Sequence, residues 1–181
     1  PALSPIASPW GSPETVFDGL AGEWSLQRTI EGQATMSGVA TFTPLETAGM
    51  LKYREEGRIR LADGKEFDGH REYIFERAPG GFEVHFAETP PRLFHAIAIV
   101  RDGDALAGSA THLCTPDTYD SSYRFLPDGS FTIRHVVQGP RKDYMVRIDG
   151  PAVQDVQDVF ARRWQLARDQ HVDYSSNTTA F

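Results

Sequence analysis

The chain has 181 residues and a formal net charge of −7; 40 % of its residues are hydrophobic and 24 % charged. These values suit one soluble globular domain whose core needs no staples. The acid excess argues against a general nucleic-acid binder, which needs surplus Lys and Arg, and the lone Cys114 excludes an intramolecular disulfide and a cysteine-based zinc site.

Residues 1–16 carry Pro1, Pro5, Pro9 and Pro13 and read as a strap or a disordered lead, because proline fits neither a helix interior nor a central strand. Trp10 favours the strap. The stretch has no basic start and no long apolar run, and nothing in the chain approaches the roughly 20 apolar residues of a membrane span. The expectation is a cytoplasmic protein with no membrane partner.

Residues 17–150 have a period of two. In "GEWSLQRTIE", Trp24, Leu26, Arg28 and Ile30 share a face; in "ATMSGVATFT", Met36, Gly38, Ala40 and Phe42 do. In "MLKYREEGRIRL", Leu51, Tyr53, Glu55, Gly57, Ile59 and Leu61 oppose a charged face. The pattern continues through Phe67, Gly69, Arg71, Tyr73 and Phe75, then Phe82, Val84 and Phe86. Leu93, His95, Ile97 and Ile99 follow, although "FHAIAIV" is apolar on both faces and leaves the register open. Ala110, His112 and Cys114 come next, then Tyr123 and Phe125, Phe131, Ile133, His135 and Val137, and Tyr144, Val146 and Ile148. Alternation of this kind marks strands with one buried and one wet face.

Short turn sequences around Gly64, Gly80, Gly103 and Gly129 join the strands as hairpins. The fold class expected is all-β: a closed antiparallel up-and-down barrel of about ten strands, with Gly38, Gly57 and Gly69 at its bends. In "HLCTPDTY", residues 112–119, Pro116 is expected at the second position of a turn, with Asp117 bonding the turn backbone and Cys114 as an inert buried thiol. Beyond Pro151 the period becomes helical through Val153, Val156, Phe160 and Trp164, which predicts a C-terminal helix over 151–168 and a flexible tail over 169–181.

Several stretches together carry a resemblance: "FDGLAGEWSLQRTIEG", "LKYREEGRIRL", "REYIF", "HLCTPDTYDSSYRF" and "GPRKDY". Over residues 17–149 the chain resembles the calycin superfamily of lipocalin-like barrels. More specifically, it resembles a domain-of-unknown-function family of small bacterial and fungal calycin-like proteins. The resemblance implies the barrel and brings no established reaction.

Polar residues on the inward face are the candidate site: Arg28, Glu55, Arg71, Tyr73, His95, His112, Tyr123 and His135. A buried charge is costly unless paired, so these residues form either an internal ion-pair network or the anchors of a ligand cavity. Arg28 and Arg71, oriented by Glu55, would hold a carbonyl or carboxylate oxygen. His112, His135 or Tyr123 would move a proton, and Tyr119 would return beside them. Trp24, Phe42, Tyr53, Phe75, Phe86 and Phe131 would form the wall, and Arg141 and Lys142 would close the mouth over an anionic group. The three inward histidines with Glu55 also suit a metal, but their spacing has no ligand motif, so the reading is no metal and no cofactor. His70 and His85 face outward.

The leading expectation is a cofactor-independent enzyme, an isomerase, cyclase or lyase, acting on a largely apolar carbonyl- or carboxylate-bearing metabolite of biosynthesis. Lipocalin-like cyclases support it by fold analogy alone. The alternatives are a carrier or sensor of a hydrophobic ligand or haem, and an interaction module built on the C-terminal helix, with a homodimer left open.

Overall fold

The structure, a computed structural model, describes residues 8–139 and the backbone of 143–150. Residues 1–7, Arg141, Lys142, the helix expected over 151–168 and the tail over 169–181 lie outside the described residues.

A short helix, α1 (Val16–Leu20), precedes β1 (Gly22–Ile30), β2 (Ala34–Pro44), β3 (Met50–Leu61), β4 (Glu66–Ala78), β5 (Gly81–Phe86) and β6 (Arg92–Ala98). Next come β7 (Val100–Asp102), β8 (Ala105–Cys114), β9 (Asp117–Phe125), β10 (Phe131–Gln138) and β11 (Asp143–Gly150). All described ladders are antiparallel, in the order β6-β5-β4-β3-β2-β1-β11-β10-β9-β8-β7. The pleat puts alternate side chains inside, as the period of two requires: Trp24, Leu26, Arg28 and Ile30 are buried along β1, and Leu51, Tyr53, Glu55 and Ile59 along β3.

The ladders do not close, which corrects the closed barrel expected from the meander. The two ends of the order, β6 and β7, are halves of one run of chain broken at Ile99. The first half pairs with β5 and the second with the start of β8. Beyond that point β6 lies beside β8 without a ladder, close enough that a Cβ on Gly108 would sit 2.5 Å from the Ala98 carbonyl oxygen. The register slips between Val84 and His85, and such a bulge bends and twists the strand that carries it.

Of the inward face expected for β6, His95, Ile97 and Ile99 are buried, and the slip corrects it only at its start. Phe94 and His95 are both buried, whereas Leu93 is 46 % exposed. The tight curvature elsewhere is centred on Gly38, Gly57 and Gly69, which oppose one another across β2, β3 and β4. A Cβ at Gly38 would lie 2.0 Å from the Glu56 carbonyl oxygen, and one at Gly57 would lie 2.2 Å from that of Ser37. Only glycine permits this approach.

One end of the interior is plugged by the N-terminal segment and α1. Trp10 is 3 % exposed, stacks on Trp24 at 5.4 Å and meets Phe125 edge-on at 4.9 Å. Its Nε1 donates to the Ser130 carbonyl at 3.2 Å, and Trp24 Nε1 donates to the Leu20 carbonyl at 2.9 Å. Val16, Phe17 and Leu20 of α1 are buried in the same cluster. Trp10→Phe loses this hydrogen bond and part of the ring, so it is expected to lower unfolding stability by about 2 kcal/mol in urea titrations.

The "HLCTPDTY" hairpin differs from its expectation. Cys114 opposes Asp117, so Thr115 and Pro116 are the two connecting residues, and Asp117 is a buried strand residue. Cys114 is exposed, because the inward alternation of β8 fades toward this tip, where Leu113 and Cys114 are both exposed.

Candidate functional site

The end of the interior away from Trp10 holds a buried ion pair. Arg28 Nη1 donates to Glu55 Oε2 at 2.9 Å, with the two side chains 4 % and 1 % exposed. They reach each other diagonally across β2, where Arg28 lies opposite Met36 and Glu55 opposite Ala40, with Gly38 between. The pair lines a cleft with Ile30, Met36, Ile59, His70 and Arg71, of about 310 Å³ measured out to open solvent. Arg71, half-buried, donates from Nη1 to the Tyr73 hydroxyl at 3.2 Å. Among the described residues Arg28 Nε and Glu55 Oε1 have no hydrogen-bond partner, although both atoms are buried.

Glu55 also lines a second cavity with Tyr53, Tyr73, Phe94, Tyr123 and His135, of about 240 Å³ on the same measure. The space clear of side chains in each is small, room for about one water. Here His95 Nε2 and the Tyr123 hydroxyl share a hydrogen bond of 2.7 Å, and Ser121 Oγ and His135 Nδ1 share another of 2.7 Å. The Tyr53 hydroxyl and His95 Nδ1 are buried with no partner among the described residues.

Burial holds both imidazoles neutral. His95 is pushed down to about 3, chiefly by desolvation and then by His112. His135 is lowered well below the ordinary value by desolvation, then by His95, Arg28 and Arg71. Burial also raises the Tyr53 and Tyr123 phenols well above their usual range, so both stay protonated at neutral pH. The interior thus presents neutral bases, phenolic donors and one internally compensated ion pair.

Residues 20–149 match the sequence profile of a family of unknown function, DUF6314. The chain belongs to that family. No curated protein matches it. Among solved structures it is similar to a redesigned β-barrel, mFAP1, bound to DFHBI, at 15 % identity, covering 75 % of this chain and 97 % of that one with a TM-score of 0.36. EF1p2_mFAP2b bound to DFHBI matches at 13 % identity, over 79 % of this chain and 100 % of that one, with a TM-score of 0.39. A fluorescence-activating β-barrel designed de novo matches at 12 % identity over 76 % of this chain and 97 % of that one, with a TM-score of 0.37.

The DUF6314 region contains both cavities. Of the residues expected at the site, Arg28, Glu55, Arg71, Tyr53, Tyr73, Phe75, Tyr123 and His135 line one or both, and His95 stands directly behind Tyr123. His112 lines neither cavity. It is half-buried where β6 meets β8, edge-on to Phe94 at 5.3 Å, and its pKa is lowered by desolvation and by Arg92. Tyr119 packs edge-on to Phe94 at 5.9 Å. Arg92 covers the Phe86 ring at 4.4 Å, so Phe86 belongs to the seam. Trp24 and Phe131 pack against Trp10 in the plug, Phe42 packs behind Phe131, and none of the three lines either of these cavities.

Three participants were missed from the sequence. His70, expected outside, lines the Arg28 cleft. Phe94 lines the second cavity because it is the extra residue of the β6 bulge. Ser121 is buried against His135; its place two residues before Tyr123 was the available signal. The metal reading of the inward histidines gains nothing from the geometry. Among the described residues only Glu76, Glu83 and His85, outside the cavities, bring three ligand atoms within 4.8 Å of one another.

Among the described residues no helix is long and apolar enough to cross a membrane.

Proposed function

We propose that the interior of this calycin-type sheet binds a small carbonyl-bearing metabolite and moves a proton within it without a cofactor, as an isomerase, cyclase or lyase does. The observation that carries the reading is the joint lining of one cavity by His135, Tyr123 and Tyr53: a neutral imidazole and two protonated phenols. A neutral imidazole accepts a proton from a carbon beside a carbonyl, and a phenol donates a hydrogen bond to the oxygen that gains charge. Ser121 fixes the His135 ring through Nδ1, and His95 fixes Tyr123. Arg71, half-buried in the cleft, holds the outer end of the molecule.

The test is deuterium wash-in beside the carbonyl of cyclopentanone and phenylacetone in D2O, followed by NMR. Exchange above buffer is expected from the protein, and His135→Gln should reduce it by about 100-fold or more while the fold is retained. If the probes bind without exchange, the chain is a carrier.

A further inference from the structure

Among the described residues three buried polar atoms have no hydrogen-bond partner, Arg28 Nε, Glu55 Oε1 and the Tyr53 hydroxyl, and Glu55 links them by lining the cleft with Arg28 and the second cavity with Tyr53. Tyr53 and Glu55 are two residues apart on the inward face of β3, and Arg28 reaches Glu55 across β2. Their side chains are almost wholly buried, and an unpaired polar atom in such a place is costly. Glu55 and Arg28 compensate each other's charge, so the corner carries little net charge for an anion to neutralise. Glu55 Oε1 can only accept, Arg28 Nε–H can only donate, and the phenol donates most readily. A carboxylate would set its lone pairs against those of Glu55 Oε1. A group with a donor beside an acceptor matches the bonding that these atoms lack.

We propose that the Arg28–Glu55–Tyr53 corner recognises a neutral group carrying a hydrogen-bond donor next to an acceptor, such as an enol beside a carbonyl or a lactam, and discriminates against carboxylates. The donor of the ligand points to Glu55 Oε1, and its carbonyl oxygen accepts from Arg28 Nε–H and the Tyr53 hydroxyl. This deepens the reading of the interior as a small-molecule site and rests on it.

The probes are pyrrolidinone, its N-methyl derivative and acetate, titrated into the isotope-labelled full chain and followed through backbone amide shifts. Pyrrolidinone is expected to perturb residues around 28, 53 and 55. The N-methyl compound, which lacks the donor, and acetate should each bind about tenfold more weakly or not at all. Tyr53→Phe keeps the ring packing against Phe42 at 4.6 Å. It should weaken pyrrolidinone by about tenfold with stability unchanged or raised. Acetate binding as well as pyrrolidinone, equal binding of the N-methyl compound, or indifference to Tyr53→Phe overturns the proposal. So does a corner that no probe perturbs, with an ordered water alone answering the three atoms. Cyclopentanone exchange without this selectivity would sink the recognition proposal alone; selectivity without exchange would sink the proton-transfer reading alone.

Discussion

On acidification the protein is expected to lose stability steadily from about pH 6.5 downward, well before most carboxylates are protonated. His95 is held near 3 in the folded chain against 6.5 for an unperturbed imidazole, and His135 is lowered well below the same value. Both shifts are downward, so between the folded and unfolded values the unfolded chain binds more protons than the folded one. Stability is then fully present above about pH 6.5 and falls with pH through that window. Each imidazole contributes a slope of about 1.4 kcal/mol per pH unit where only the unfolded chain is protonated. His95 acting over about two units removes about 3 kcal/mol, and His135 adds in the same direction, a large part of an ordinary domain's total. His112, half-buried with its pKa also lowered, adds in the same direction. The measurement is the urea midpoint at a series of pH values. The paired variant His95→Gln/His135→Gln should flatten the profile, since a neutral amide cannot take up the proton. A wild-type midpoint that does not move between about pH 7 and about pH 4.5 would show that these rings are solvated or already charged.

Much of this interior was legible because a strand's period of two is set by the pleat alone. In β3 the alternation of Leu51, Tyr53, Glu55 and Ile59 with charged neighbours identified the buried glutamate directly. The glycines at 38, 57 and 69 announced the bend they make together. What failed to show was whatever depends on register between distant segments. "FHAIAIV" is apolar on both faces, so periodicity could not say that a bulge at Phe94 would turn that ring inward and Leu93 out. Trp10 was legible as a residue seeking cover, but its partners come from β1, β9 and β10. The histidines were legible as inward. That His135 reaches a cavity while His112 stays at the seam follows from where β6 meets β8, which no local pattern encodes.

Glu55→Leu alone should destabilise the fold by about 3–5 kcal/mol, because it strands the Arg28 guanidinium in the interior without its counter-charge. Arg28→Met alone should cost a similar amount by stranding the carboxylate. The double variant Arg28→Met/Glu55→Leu replaces a pair of charges with apolar groups of comparable volume, and such replacements are often neutral or stabilising. It is therefore expected to recover most of the loss, giving a coupling of at least about 2 kcal/mol in a double-mutant cycle by urea unfolding. The same variant separates stability from use. If the pair were present only to hold the sheet together, a stable double variant would bind pyrrolidinone as the wild type does. If the pair is kept because it presents Glu55 Oε1 and Arg28 Nε–H to a ligand, the double variant is as stable as the wild type and binds nothing. A single Glu55→Leu chain as stable as the wild type would mean that Arg28 leaves the interior when released, and that the cleft is open enough for water to replace its partner.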